Sequence, residues 1–333
     1  TCFLSKCGIK PLLEMKNKTR ILFIIENDYF PRDMRVYNEC MSLTEKYSCF
    51  VLAPRQRREK FIEKKEETIC YRYPHFEAKS LLFIAFEYII SWFWIFLLVP
   101  VICLVKKIKI IHVANPPDFI VPSCFWLKIF GIKIIFDAHD LSLETFLGKN
   151  IHSIILTKLI SIILSVLEYL SYFFSNVVIA TNQSIKEYIL RRVKNKQVYI
   201  VRNSHKVLFS SIEEINKNRD NPTLHLGYFG VLANDNAAGM NNFFVISNAL
   251  QKNNIPFKIS IIGSGPGSEY LQSEVKKRHL EKNFHFHGFI PIPDAFNQIK
   301  NFDFGLVTWG YLPKNHFHTD RKSTRLNSSH GKL

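Results

Sequence analysis

The residues best equipped for chemistry stand at the ends of short apolar runs. Residues 133 to 144 read KIIFDAHDLSLE, so Asp137, His139, Asp140 and Glu144 follow a stretch of Ile and Phe. An imidazole beside carboxylates can orient a hydroxyl or relay a proton near neutral pH, although a lone His is also a common structural group. Just upstream, HVANPPD places Asn115 ahead of two prolines. NDYFPRDMRVYNEC, residues 27 to 40, puts Asp33, Arg35 and Glu39 at the start of a helical stretch. Two readings stand there. The loop can approach a phosphate or sugar with backbone amides and the positive end of the helix. Alternatively, Asp33 caps the helix and Arg35 pairs with Glu39 at i,i+4. In the second half, GYFGVL and IIGSGPG supply Gly230, Gly263 and Gly265, where a backbone without Cβ can come close to an anion. GSGPG misses the dinucleotide fingerprint by one position, and no acidic residue waits at the end of a following strand.

These groups need strands to hold them. Runs at 21–26, 49–54, 110–115, 133–138, 177–181 and 198–203, then at 224–230, 258–263, 284–288 and 302–307, are rich in Ile, Val and Phe and alternate with helical stretches. That pattern predicts parallel sheets buried on both faces, in an α/β protein with two doubly wound, Rossmann-like domains. The polar stretch SSIEEINKNRDNP (210–222), ending in Pro222, predicts a linker region at 206–223 between a domain over 15–205 and one over 224–319. Ligands gather at the carboxyl ends of such strands, and the cleft between two such domains is the expected site.

Composition narrows the class. The 333 residues are 47% hydrophobic with 13 Gly and 14 Pro, which describes a packed protein and excludes disorder as the default. The seven Cys all lie in the first half and form no CxxC pair, so neither a zinc site nor a disulfide framework is expected, and a reducing cytoplasm is the simplest setting. Residues 1–14 precede Met15, which is read as the natural start, and 320–330 resemble a translated sequencing adapter; both ends are read as non-native. Setting aside residues 1–14 and 320–333 removes six basic and two acidic residues and lowers the net charge from +16 to +12. That balance suits an anionic membrane surface, a nucleotide diphosphate or nucleic acid, and net charge alone does not choose among them. Nucleic acid is not expected as a partner, because the basic residues are interspersed with Glu. Residues 81–105 are apolar enough to span a bilayer but contain Glu87 and Pro100; residues 151–174 are similar, with Lys158 and Glu168. Three readings follow: helices docked on the sheet with outer faces dipping into a membrane, entirely buried helices, or true insertion.

The order PRDMRV, HVANPPDF, FDAHDLSLE, VVIATNQSIKE, VYIVRNS, GYFGVL, IIGSGP, FHGFIP and DFGLV, over roughly residues 20 to 310, resembles the retaining glycosyltransferases of family 4, which adopt the GT-B fold. The resemblance implies an acceptor-binding first domain and a second domain that binds a nucleoside diphosphate sugar, with transfer by retention and no metal or other cofactor. It makes His139 the residue near the donor sugar and Asn203 the close of the first domain. It also makes Gly230, Gly263, Gly265, Phe289 and Ile290 donor contacts, and Asn234 or Arg202 is expected, with helix-terminal amides, to stabilise the leaving diphosphate where the family's cations are missing. Asp33, Arg35, Asn115, Asp140 and Glu144 are then acceptor or cleft residues. Two departures stand out: Val231 and Ala238 occupy places where many members carry Arg and Lys, and the paired Glu motif after the GLV run is not met before the adapter-like tail. The second leads to the expectation that the chain is truncated and inactive as it stands. The expected role is cell-envelope polysaccharide synthesis on a saccharide or lipid-linked acceptor, at the inner face of the plasma membrane. Rivals are a nucleotide-sugar 2-epimerase of the same fold and a non-catalytic membrane partner of another transferase.

Overall fold

The computed structural model describes residues 18–76, 81–147, 153–202, 223–232, 239–290, 294–295, 298 and 301–308. The chain forms two compact units, Thr1–Leu147 with Ile151–Ser204, and Gly148–Asn150 with His205–Leu333. Each is a layered α/β unit around its own sheet.

In the first unit the strands are β1 (Arg20–Ile24), β2 (Ser48–Arg55), β3 (Ile62–Lys65), β4 (Thr68–Pro74), β5 (Ile110–Ala114), β6 (Lys133–Ala138), β7 (Val177–Ala180) and β8 (Val198–Ile200). Their order is β3-β4-β2-β1-β5-β6-β7-β8, and every neighbouring pair is parallel except β3 with β4. The apolar runs of β1 and β2 are buried almost end to end, as strands covered on both faces must be. The order reverses between β1 and β5, so their carboxyl ends flank the natural ligand crevice of this sheet. The β3–β4 hairpin is absent from the sequence reading. Its edge strand β3 is IEKK, its two-residue turn is Glu66 and Glu67, and Glu66 takes a positive φ of 49° without the usual Gly or Asn. A charged edge strand gives little hydrophobic pattern to read.

The helices of this unit are α1 (Met34–Leu43), α2 (Leu81–Val105), α3 (Ile120–Cys124), α4 (Ser142–Leu147), α5 (Ile154–Phe174) and α6 (Gln183–Arg192). A 3-10 turn at Phe125–Phe130 follows α3 and closes at Gly131, whose φ of 75° is open to glycine at no steric cost. On α2, Ser91, Ile95, Val99, Ile102 and Cys103 lie along one buried stripe, while Phe86, Ile89, Phe93, Val101 and Leu104 are exposed. On α5, Ile155, Leu159 and Ile162 are exposed, whereas Glu168 is buried. That acid is inward because it has partners: the hydroxyls of Tyr172 and Tyr188 donate to it at 2.9 and 3.1 Å, and Arg192 lies 2.9 Å away. By length and composition, Phe86–Val105 and Ile154–Phe174 are each able to cross a membrane. Neither is entirely buried in its unit, which sets aside the second of the three readings above.

The second unit carries β9 (Leu224–Phe229), β10 (Phe257–Ile262), β11 (Phe284–Gly288) and β12 (Phe304–Leu306), all parallel in the order β11-β10-β9-β12. Helices α7 (Asn242–Lys252) and α8 (Ser268–Lys277) pack through Phe243, Phe244, Leu271 and Val275 onto Ile259 and Ile261. Here the order reverses at β9, so Gly230 stands at the switch point. Two loops interlock there. Gly230 N–H donates to the Ile262 carbonyl at 3.1 Å, Leu232 N–H to Ser264 at 3.1 Å, and Gly267 N–H to Leu232 at 2.8 Å. Gly263 (φ 142°) and Gly265 (φ 155°) make this possible, since a Cβ would lie 1.9 Å from the Gly230 carbonyl oxygen and 2.4 Å from that of Leu232.

Gly263→Ala should therefore force the loops apart. The backbone conformation alone costs an alanine about 1–3 kcal/mol, and the clash adds to it. Hydrogen exchange should lose protection in β9, β10 and α8 and keep it in β1 and β5; unchanged exchange in the second unit would contradict the interlock.

Candidate functional site

The densest charged cluster of the first unit lies at the carboxyl end of β6. Asp137, fully buried, receives Arg35 as a fork, with Nε donating to Oδ2 at 3.0 Å and Nη2 to Oδ1 at 2.7 Å. The same guanidinium donates through Nη1 to the Val201 carbonyl at 2.9 Å and reaches Glu39, one turn along α1, at 3.1 Å. His139 Nε2 lies 2.6 Å from Asp137 Oδ2. Burial would raise Asp137, but His139 and Arg35 outweigh it and hold the carboxyl well below the usual carboxylate range. Glu39 goes the other way: burial and the charge of Asp137 push it up to about 9 despite Arg35. Beside it, His112 is fully enclosed and burial pushes it down to about 4.

With a carboxylate accepting at Nε2, that nitrogen carries the imidazole proton, and Nδ1 is the ring atom left without a partner among the described residues. Asn115, at the end of β5, fixes the chain that carries the ring. Its carboxamide oxygen accepts the His139 N–H at 2.5 Å and the Asp140 N–H at 3.2 Å, and its Nδ2 donates to Asp118 Oδ1 at 3.1 Å and the Asp140 carbonyl at 2.6 Å. Glu39, His112 and Asp137 have ligand atoms within 4.8 Å of one another. Both oxygens of Asp137 already serve Arg35 and His139, so as a metal set the three are largely spent.

The other residues singled out by sequence fall as follows. Asp33 takes the capping geometry, its Oδ1 accepting from the N–H groups of Arg35 and Val36 at 3.0 Å each, and Arg35 is buried in the network above. Asp140 is exposed, and Glu144 is half-buried in the first turn of α4, with its carboxyl raised by burial. In the second unit Gly230, Gly263 and Gly265 meet in the interlocked loops, Phe289 is exposed and Ile290 half-buried, and Val231 points out at 69% exposure. Asn203, Asn234 and Ala238 lie outside the described residues, as do the linker apart from Thr223 and the end segments 1–14 and 320–333.

Two acids were undervalued by sequence reading. Asp137 interrupts an apolar strand buried on both faces, and a charge there must have a partner; that was its signal. Glu26, just past β1, is likewise buried, with Oε1 lacking a hydrogen-bond partner, and burial pushes its carboxyl up to about 7. Next to it, His75 Nε2 stands 3.3 Å from Glu87 Oε1.

No protein-family model and no curated protein sequence matches the chain. Solved structures do. Sucrose-phosphate synthase from Thermosynechococcus elongatus superposes with a TM-score of 0.63 at 13% identity, over 89% of this chain and 77% of that one. The lipopolysaccharide outer core galactosyltransferase WaaB in its apo form gives 0.60 at 16% identity, over 87% and 74%. Anabaena HepE in complex with UDP and glucose gives 0.52 at 13%, over 86% and 73%. The fold is that of GT-B glycosyltransferases. At these identities the likeness concerns the fold, and the two Rossmann-like sheets of the GT-B architecture are those the alternating apolar runs predict.

Arg35→Met leaves Asp137 buried without its fork, and should lower unfolding stability by about 3–5 kcal/mol in urea titration; a loss below 1 kcal/mol would mean the fork contributes little. Glu26 gives a pH test. Its native pKa lies above the ordinary value, so the folded chain holds a proton the unfolded chain releases, and this contribution is full at acid pH and lost as pH rises through about 7. Glu26→Gln should match the parent near pH 5 and exceed it at pH 8 by up to about 3 kcal/mol. Equal stability at both pH values would refute the raised carboxyl.

Proposed function

We propose that the protein is a nucleotide-sugar-dependent glycosyltransferase of the family 4 type, which transfers a sugar with retention to a saccharide or lipid-linked acceptor. The observation that carries this reading is the pairing, within a GT-B fold, of interlocked glycine loops at the switch point of the second sheet with a buried Arg35–Asp137–His139 network at the strand ends of the first. The loops run into the first turn of α8, a place where backbone amides suit a diphosphate. In this reading the acceptor hydroxyl attacks from the side of the departing diphosphate, whose oxygen takes the proton. The protein positions both substrates and stabilises the leaving charge. In this reading His139, held by Asp137 through Nε2, has the role of orienting a hydroxyl of the donor sugar through Nδ1.

Peripheral membrane attachment at the cytoplasmic face fits the exposed apolar faces of α2 and α5. Both helices pack against α3, and Lys107, Lys128 and Lys158 stand exposed around them. Val231, exposed where many relatives carry Arg, favours a second reading as a non-catalytic nucleotide-sugar binder that serves another transferase.

Calorimetric titration with UDP, GDP, CDP and ADP, each with and without its sugar, tests the donor site. One nucleoside diphosphate should bind, and His139→Ala should leave its affinity unchanged while weakening the matching sugar nucleotide about tenfold, or ~1.4 kcal/mol. Failure of all four to bind would end this reading, and equal losses for nucleotide and sugar nucleotide would remove the role given to His139.

A further inference from the structure

At the carboxyl edge of the first sheet, a cavity of about 750 Å³ opens where β1, β2 and β4 end. It is lined by Tyr29, Arg55, Arg57, Arg58 and His75, among others. We propose that this cavity is an anion subsite that takes a phosphate or diphosphate ester carried by the acceptor. The assignment rests on the reading of the first unit as the acceptor-binding one, and it adds the chemical class of that acceptor.

Position is the first support. In a parallel sheet the carboxyl ends of the strands are where ligands sit, and this cavity is bounded by three such ends. Its size falls in the range of small-molecule sites, about 300–1,000 Å³. Charge is the second. The acids around it have partners already: Asp28 pairs with Arg32 at 3.2 Å, Glu59 and Glu63 with Arg72 at 2.8 and 2.6 Å, and Glu59 Oε2 also accepts the Gln56 N–H at 2.9 Å. Among the described residues none of Arg55, Arg57 and Arg58 has a carboxylate partner, and Arg55 Nη1 donates only to the Glu59 carbonyl at 3.5 Å, so three arginines line one concave surface without an ion pair. A bound phosphate would supply the counter-charge these arginines lack.

Order is the third support. The Arg55 guanidinium lies over the Phe61 ring at 4.2 Å, which fixes one wall of the cavity. His75 is held from behind by Glu87 at 3.3 Å and meets the Tyr29 ring edge-on, with centroids 6.1 Å apart. Glu26, deeper in the same region, has its carboxyl pushed up to about 7 by burial, which reduces the negative charge behind the cavity at neutral pH. Planar forks of this kind match phosphate oxygens two at a time, whereas a neutral saccharide gives them nothing to neutralise. The anion could belong to a lipid-linked diphosphate or to a soluble sugar phosphate; the recognition chemistry is the same.

The test is a calorimetric titration of the chain with geranyl diphosphate and with glucose 1-phosphate, each in the presence of saturating nucleoside diphosphate to occupy the second unit. At least one should bind, and Arg57→Ala/Arg58→Ala should weaken it about 10- to 100-fold, as loss of charge-assisted contacts predicts. Both positions are exposed in a turn, and circular dichroism checks that the variant folds. Binding of geranyl diphosphate alone identifies a lipid-linked acceptor, and of glucose 1-phosphate alone a soluble one; either supports the subsite. Unchanged affinity in the double variant, or binding of neither probe, overturns it. So does a single-stranded oligonucleotide that binds more tightly than both and is lost in the variant. Failure of the donor reading would register separately, as absent nucleoside diphosphate binding with the arginine-dependent arm intact.

Discussion

A fully buried carboxylate needs its counter-charge inside the fold, and in the first unit that requirement joins α1, β6, the chain after β8 and the His139 loop. Asp137 is held by a guanidinium fork on one side and an imidazole on the other. Taking such a charge out of water costs several kcal/mol unless its lone pairs are filled, so these groups have little freedom to move apart. The same contacts give His139 Nε2 a carboxylate partner and leave Nδ1 without one among the described residues. Stability and site geometry therefore depend on one ionic network.

The second unit meets its constraint with steric means. Gly263 and Gly265 are required where they stand because the Gly230 and Leu232 carbonyls already occupy the space a Cβ would take. The first duty of these glycines is to let two loops touch. Any closeness to a diphosphate is built on that contact, since a loop pinned to its neighbour pays less ordering entropy when a ligand arrives.

The two apolar helices show how composition can be misleading in both directions. Phe86–Val105 and Ile154–Phe174 are long and apolar enough for membrane spans, yet each seats a narrow stripe against the unit and leaves most of its described apolar side chains outward. Glu168, which argued against a span in the sequence, is buried among two tyrosines and an arginine supplied mainly by the neighbouring α6. Period alone could not separate these arrangements, because a helix apolar all round has no polar face to reveal which side is docked.

The sequence determined the α/β class, the parallel strands from Ile-, Val- and Phe-rich runs, and the placement of polar groups at their ends, because burial on both faces and backbone permissiveness are local demands. It also carried both readings of Asp33 and Arg35 without choosing between them. Only the tertiary structure decided that Arg35 reaches across 102 residues of chain to Asp137, that the β3–β4 edge exists, and that Arg55, Arg57 and Arg58 share a cavity with His75. These depend on which strands become neighbours. Strand order is set by crossover packing between distant segments, and no local pattern of residue types encodes the distances that result.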